Sequence, residues 1–165
     1  MCCCYYASLR PVLTDGICSI QRGFTPKRNF IDNVVDLDAC ARVAAIQNDQ
    51  FLPLLASFDY ASAFPSLAQE FMIAVFEHNG MPIGLINFAK GIYFIVYAFL
   101  AASQGGYFLF LIIRGVIQGC PLAGAFFCMA ADPTIYSIQH SLEPDGVGRA
   151  CADDLGVVLF DIIAL

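Results

Sequence analysis

The stretch Ala150-Cys151-Ala152-Asp153-Asp154-Leu155-Gly156-Val157-Val158-Leu159-Phe160 sets two adjacent carboxylates between two runs of small and apolar residues. Runs of that length and composition read as strands, so the pair falls at the tip of a hairpin. Successive strand residues point to opposite sides, and both carboxylates can reach one ion only at a turn. Standing alone, such a pair is an ordinary polar hairpin tip. Carboxylates held at strand ends are also the ligands that divalent cations prefer, and two further segments give the pair company.

Upstream, Leu54-Leu55-Ala56-Ser57-Phe58-Asp59 ends a short apolar run on a single carboxylate. Phe51 to Phe58 reads as a buried strand, with Asp59 at its end or capping the next helix. Between the two acidic segments lies a glycine-rich turn, Arg114-Gly115-Val116-Ile117-Gln118-Gly119-Cys120-Pro121-Leu122. Pro121 suits the opening of a helix from Leu122 to about His140, with a kink at Asp132-Pro133. Glu143-Pro144-Asp145-Gly146 is a turn, and strands follow at Val147 to Ala152 and Leu155 to Phe160. Pro65 opens a helix through Leu67, Phe71, Met72, Val75 and Phe76 that stops at Asn79-Gly80. Pro82 starts another, carrying Ile83, Ile86 and Phe88 toward the core. Nearer the N-terminus, Asn29 or Asp32 caps a helix through Val34, Leu37, Ala41, Ala44 and Ile46, ended by Asn48-Asp49-Gln50. This order describes an α+β domain, an antiparallel sheet with helices on one face.

Composition sharpens the picture. The 165 residues suffice for one domain, and 59% are hydrophobic while only 13% are charged, about half the usual share. With a mean hydropathy of +0.69, the surface is membranous or meant to be covered. The candidate span is the uncharged run Gly91 to Ile113, since crossing a bilayer takes roughly 20 apolar residues. Ser103-Gln104-Gly105-Gly106 interrupts it, and the flanks are rich in β-branched and aromatic residues. A buried hairpin is the better reading, without a membrane. The net charge of −6 counts against a free-standing nucleic-acid binder, because basic residues supply most of that affinity. A catalytic core can leave duplex binding to segments outside itself. The eight cysteines show no C-x-x-C pair and read as reduced thiols rather than a disulfide or zinc framework.

Taken together, these segments resemble motifs A, B and C of reverse transcriptases, especially those of non-LTR, LINE-like retrotransposons. Phe58-Asp59-Tyr60-Ala61-Ser62-Ala63-Phe64 resembles F-D-x-x-x-A-F, residues 114 to 122 resemble R-G-V-x-Q-G-x-P-L, and Ala152-Asp153-Asp154 resembles the A-D-D box. Gln21-Arg22-Gly23-Phe24 with Pro26 and Arg28 is similar to the Q-x-G-F-x-P-x-R element of the fingers. The resemblance implies a polymerase palm from about residue 51 to 165, RRM- or ferredoxin-like, with part of helical fingers in residues 1 to 50. It implies RNA-directed DNA polymerisation with two Mg²⁺ ions, Mn²⁺ being a substitute, held by Asp59, Asp153, Asp154 and the backbone carbonyl of Tyr60. Phe64 and Ala63 match the floor under the incoming dNTP, where the ring excludes a 2′-hydroxyl. Gln118 and Gly119 match the turn against the nucleotide. Gln21, Gly23, Phe24, Arg28 and Pro121 match the template and primer side, so the implied partners are an RNA template with a DNA primer and dNTPs.

Departures from the family pattern are Cys151 where Tyr or Phe is usual, Ala123 for the common Ser, and Pro65 for a frequent Asp; none removes a metal ligand. The family's first fingers motif should precede Leu9-Arg10-Pro11-Val12-Leu13, and its thumb should follow Leu165. The expectation is therefore a palm fragment, inactive alone, whose thumb and endonuclease segments lie elsewhere in a parent polyprotein.

Overall fold

The hairpin around the two carboxylates forms as its pattern requires. In the computed structural model, which describes residues 2–47, 52–103 and 105–161, β4 (Gly146–Cys151) and β5 (Asp154–Leu159) pair antiparallel around the two-residue turn Ala152-Asp153. β1 (Leu54–Asp59) adds to the other side of β5, giving the order β1-β5-β4. Along β5, Leu155 and Val157 point toward α6 (Ala123–Leu142) and join Ile20, Ile135 and Ala150 in one buried cluster. Gly156 on the alternate side meets Leu37 of α2 (Ile31–Gln47), whose Cδ1 would lie 2.4 Å from a Cβ added there. The central strand is thus backed by α6, while α2, from the N-terminal third, leans on its other side.

The larger core forms where four helices meet. α1 (Cys2–Gly16), α4 (Gln69–His78), α5 (Ile83–Tyr93) and the first half of α6 contribute Leu13, Met72, Phe76, Ala89 and Phe126, each at or near zero exposure. Phe76 and Phe126 meet edge to face at 5.1 Å, the arrangement that the ring quadrupoles favour. α6 continues through Pro133 to Leu142 as one helix. α1 has no counterpart in the pattern reading above; Leu9, Leu13 and Ile17 recur every fourth residue and are all buried, but Pro11 and the Cys2-Cys3-Cys4 run mask that period.

Several expectations need correction. The helix expected to open at Pro65 is two, α3 (Ala63–Ser66) and α4, because Leu67 turns extended and its carbonyl accepts the Gly115 N–H at 2.7 Å. Ile83, expected in the core, is exposed, and the buried face of α5 is Leu85, Ile86, Ala89 and Tyr93. The strand ending at Asp59 is not buried, for Leu54, Leu55 and Phe58 are all exposed on this sheet edge. Asn48-Asp49-Gln50, Phe51 and Gln104 lie outside the described residues.

The hairpin of residues 91 to 113 forms, as β2 (Val96–Ala102) and β3 (Gly105–Ile112), but as a separate two-stranded sheet. It is not buried: Tyr97, Phe99, Tyr107, Phe108 and Phe110 are each more than half exposed, and none joins either core cluster. Its rings pack on each other, Tyr97 and Phe99 both edge-on to Phe108. Among the described residues no helix is long and apolar enough to cross a membrane. Because the hairpin supports no core, Phe108→Ser should change unfolding stability by no more than about 0.5 kcal/mol while lowering light scattering at high protein concentration. A stability loss several times larger in urea would show that this ring is covered after all.

Candidate functional site

The turn that joins β4 to β5 carries the geometry. Asp59 and Asp154 are direct partners in the antiparallel register of β1 and β5, and Asp153 precedes Asp154 in the turn. Residues so paired have Cα atoms about 4.5 to 5.5 Å apart and project to the same face. Asp59 is thus brought to the same end of the sheet as Asp153 and Asp154, which lie more than 90 residues later in the chain. Asp153 and Asp154 line a cleft of about 260 Å³ with Tyr60, Phe71, Phe127 and Ile135 among its walls. Asp59 and Tyr60 border a second hollow beside it.

Among the described residues no group of three or more acidic, histidine or cysteine side chains is arranged so that it could hold a metal ion. Mg²⁺ binds one or two carboxylates, keeps several waters and takes its remaining oxygens from substrate phosphates, so Asp59, Asp153 and Asp154 are the residues that would hold it. The Tyr60 carbonyl accepts the Ala63 N–H at 3.2 Å, and its second lone pair stays available.

The segment around Gln21 is bound into this tip. Residues 20 to 22 lie parallel beside β4, with Arg22 N–H on the Ala150 carbonyl at 2.8 Å and Ala150 N–H on the Ile20 carbonyl at 2.9 Å. Gln21 is fully buried, and its side-chain amide bonds both main-chain groups of Ala152. The missing Cβ of Gly23 allows that chain to approach, for a Cβ there would sit 2.2 Å from the Ala152 nitrogen. Its carbonyl accepts the Cys128 thiol at 3.2 Å; burial pushes that thiol's pKa up to about 12, so it stays protonated and a donor.

Phe24, Phe64 and Phe127 pack in a row. Phe64 lies 4.4 Å from Phe127, nearly parallel, and edge-on to Phe24 at 5.8 Å. Gly124 makes this possible, since a Cβ there would strike the Phe24 ring at 2.3 Å. A glycine inside a helix was the available sequence signal for that contact. The Gln118-Gly119 turn is anchored at its base, with Val116 N–H on the Phe64 carbonyl at 3.0 Å and Ile117 N–H on the Tyr93 hydroxyl at 3.3 Å. Gln118, Gly119 and Pro121 themselves are exposed. Gly119 has φ +87°, a backbone that side chains rarely adopt.

Arg28, matched above to the template side, is engaged elsewhere. Its guanidinium donates to the carbonyls of Thr14, Ile17, Cys18 and Gln21 at 2.6 to 2.9 Å, closing the C-terminal end of α1. A phosphate contact would have to displace these bonds. Gln21, too, is turned inward. Sequence reasoning also missed Asn33, buried with its Nδ2 donating to the Ala150 carbonyl at 2.9 Å, and Asp36. The Asp36 carboxyl accepts from Arg149 and Arg22 at 2.9 and 2.7 Å, and these hydrogen bonds, Arg149's first, hold its pKa below the ordinary 3.8. That contribution to stability is present above 3.8 and is lost as pH falls through the lowered value.

Comparison with solved structures bears on this arrangement. The apo telomerase of Candida tropicalis superposes with a TM-score of 0.70 at 13% identity, covering 99% of this chain and 32% of that one. A form of the same enzyme truncated from its C-terminal domain gives 0.63 at 16% identity, covering 98% and 33%. The Candida albicans telomerase in complex with a TWJ fragment of telomeric RNA gives 0.64 at 12% identity, covering 96% and 29%. The chain has a reverse-transcriptase-like polymerase fold. At these identities the likeness is one of fold alone, and the chain spans about a third of the length of the structures it matches. No protein-family model matches it, and no curated protein does. Within that fold the antiparallel sheet carrying Asp59 and Asp154 with its helices is the α+β arrangement expected from the sequence, except that α2 lies on the face opposite α6.

Proposed function

We propose that this polymerase-like domain is the palm, with part of the fingers, of an RNA-directed DNA polymerase of the non-LTR, LINE-like type. It would transfer dNTPs to a primer 3′-hydroxyl and derive from a parent polyprotein that also carries a thumb and an endonuclease. The observation that carries the reading is the register match of Asp59 with Asp154 beside Asp153. In the reaction the 3′-oxygen forms a bond to the α-phosphorus as the bond to the pyrophosphate oxygen breaks. Two divalent cations, when bound, supply alignment of the attacking and leaving oxygens and offset their charge. Asp59 and Asp153 would hold them, with Asp154 and the Tyr60 carbonyl completing the set. Phe64, wedged between Phe24 and Phe127, would set the floor against a 2′-hydroxyl beside Ala63, and Gln118 with Gly119 would lie against the base pair. Gly23, Phe24 and Pro121 would face template or primer.

Mn²⁺ titration of the purified chain, followed by water-proton relaxation, tests this. The expected result is saturable binding that tightens more with dTTP than with UTP and is weakened more than tenfold in Asp59→Asn and Asp153→Asn. Binding that both variants retain would sink the proposal. Binding that no nucleotide alters would instead mark a non-catalytic remnant of the fold.

A further inference from the structure

Ala152 adopts φ +56°, in the first position of a two-residue hairpin turn where glycine, asparagine or aspartate is the usual occupant. An alanine held in the left-handed region needs support from its surroundings. That support is Gln21: its Oε1 accepts the N–H groups of Ala152 and Gly23, each at 2.8 Å, and its Nε2 donates to the Ala152 carbonyl at 3.2 Å. Backbone pairing of residues 20 to 22 with Ala150 fixes where the amide starts, and its complete burial denies water as a substitute partner. Only a side chain that both donates and accepts can grip both main-chain groups of one residue. Asn33 of α2 is the contrast, buried against the same strand β4 but bonded to Ala150, two residues short of Ala152, with its own carbonyl oxygen unpartnered.

We infer that Gln21 is a positioning residue for the metal-binding tip: its amide holds Ala152 in the left-handed turn and so sets the direction in which Asp153 and Asp154 project. The inference rests on the polymerase reading, and it moves Gln21 from the template side to the support of the carboxylates. Residues that orient metal ligands without touching the ion are worth about 10- to 100-fold in metal affinity.

Mn²⁺ titration of Gln21→Leu against Asn33→Leu tests it, with thermal unfolding and circular dichroism run on both. Gln21→Leu should weaken Mn²⁺ binding at least about tenfold and speed hydrogen exchange at the Ala152 amide. Asn33→Leu, at similar loss of stability, should leave the affinity within about twofold, below that range. If Gln21→Leu does not fold, Gln21→Glu replaces it; that variant keeps the acceptor contacts but turns a carboxylate on the Ala152 carbonyl, and it too should weaken binding. Unchanged affinity in the Gln21 variants, with the parent chain binding Mn²⁺, overturns the inference while leaving the function intact, and so does an equal loss in Asn33→Leu. A parent chain that binds no Mn²⁺ overturns the functional reading and this inference with it.

Discussion

Gly23→Ala is expected to lower the stability of the domain by about 3 kcal/mol, a fall of roughly 6 to 12 °C in melting temperature for a chain of this size. The reason is a backbone contact. An added methyl would stand 2.2 Å from the Ala152 nitrogen and 2.9 Å from the Cys151 carbonyl carbon, and neither atom can rotate away as a side chain would. Relief requires either the 20 to 24 segment to lift from β4 or the β4-β5 turn to open. Either route breaks bonds that Gln21 makes to Ala152, and lifting the segment also pulls the Gly23 carbonyl from the Cys128 thiol. Gly84→Ala is the matched control. Gly84 lies in α5 with nothing within 4 Å of an added Cβ, so alanine should stabilise by about 0.5 to 1 kcal/mol. Thermal unfolding of both proteins checks the pair; a Gly23→Ala variant as stable as its parent would mean that the two segments are not in contact.

The site was legible where chemistry and local pattern coincide. Asp59, Asp153 and Asp154 could be singled out because carboxylates at the ends of apolar runs are few in this weakly charged chain, and the strands that carry them follow from composition. The register that sets Asp59 opposite Asp154 is a non-local pairing that neither strand shows alone. Gln21 is harder still: its partner is 131 residues away, and a polar residue beside arginines reads equally well as a solvent-facing contact. The β2-β3 hairpin was legible as strands and misread as buried. An apolar run reports that a surface is to be covered and not by what, and among the described residues nothing joins the exposed rings of this hairpin to a core cluster. The break between α3 and α4 has the same origin, because the group that competes for the Leu67 carbonyl is Gly115, far along the sequence.

Placing Asp59 opposite Asp154 has a cost that a structural role alone would not justify. Like charges directly across an antiparallel pair repel, and here the Asp153 carboxylate follows in the adjoining turn. Exposure of Asp59 and Asp154 lets solvent screen the repulsion, so Asp154→Asn should raise the melting temperature slightly in EDTA. Magnesium should reverse that order. An ion bound only by the folded chain stabilises it in proportion to the logarithm of its concentration over Kd, about 2.7 kcal/mol at one hundred times Kd, or roughly 5 to 11 °C here. The parent chain should therefore climb steadily through a Mg²⁺ series while Asp154→Asn stays nearly flat, the two curves crossing at low concentration. The crossing separates a metal site from an ordinary acidic tip. Carboxylates that only repel would make the variant the more stable protein at every Mg²⁺ concentration. If the carboxylates serve as ligands, the variant loses that advantage once the ion stabilises the parent chain.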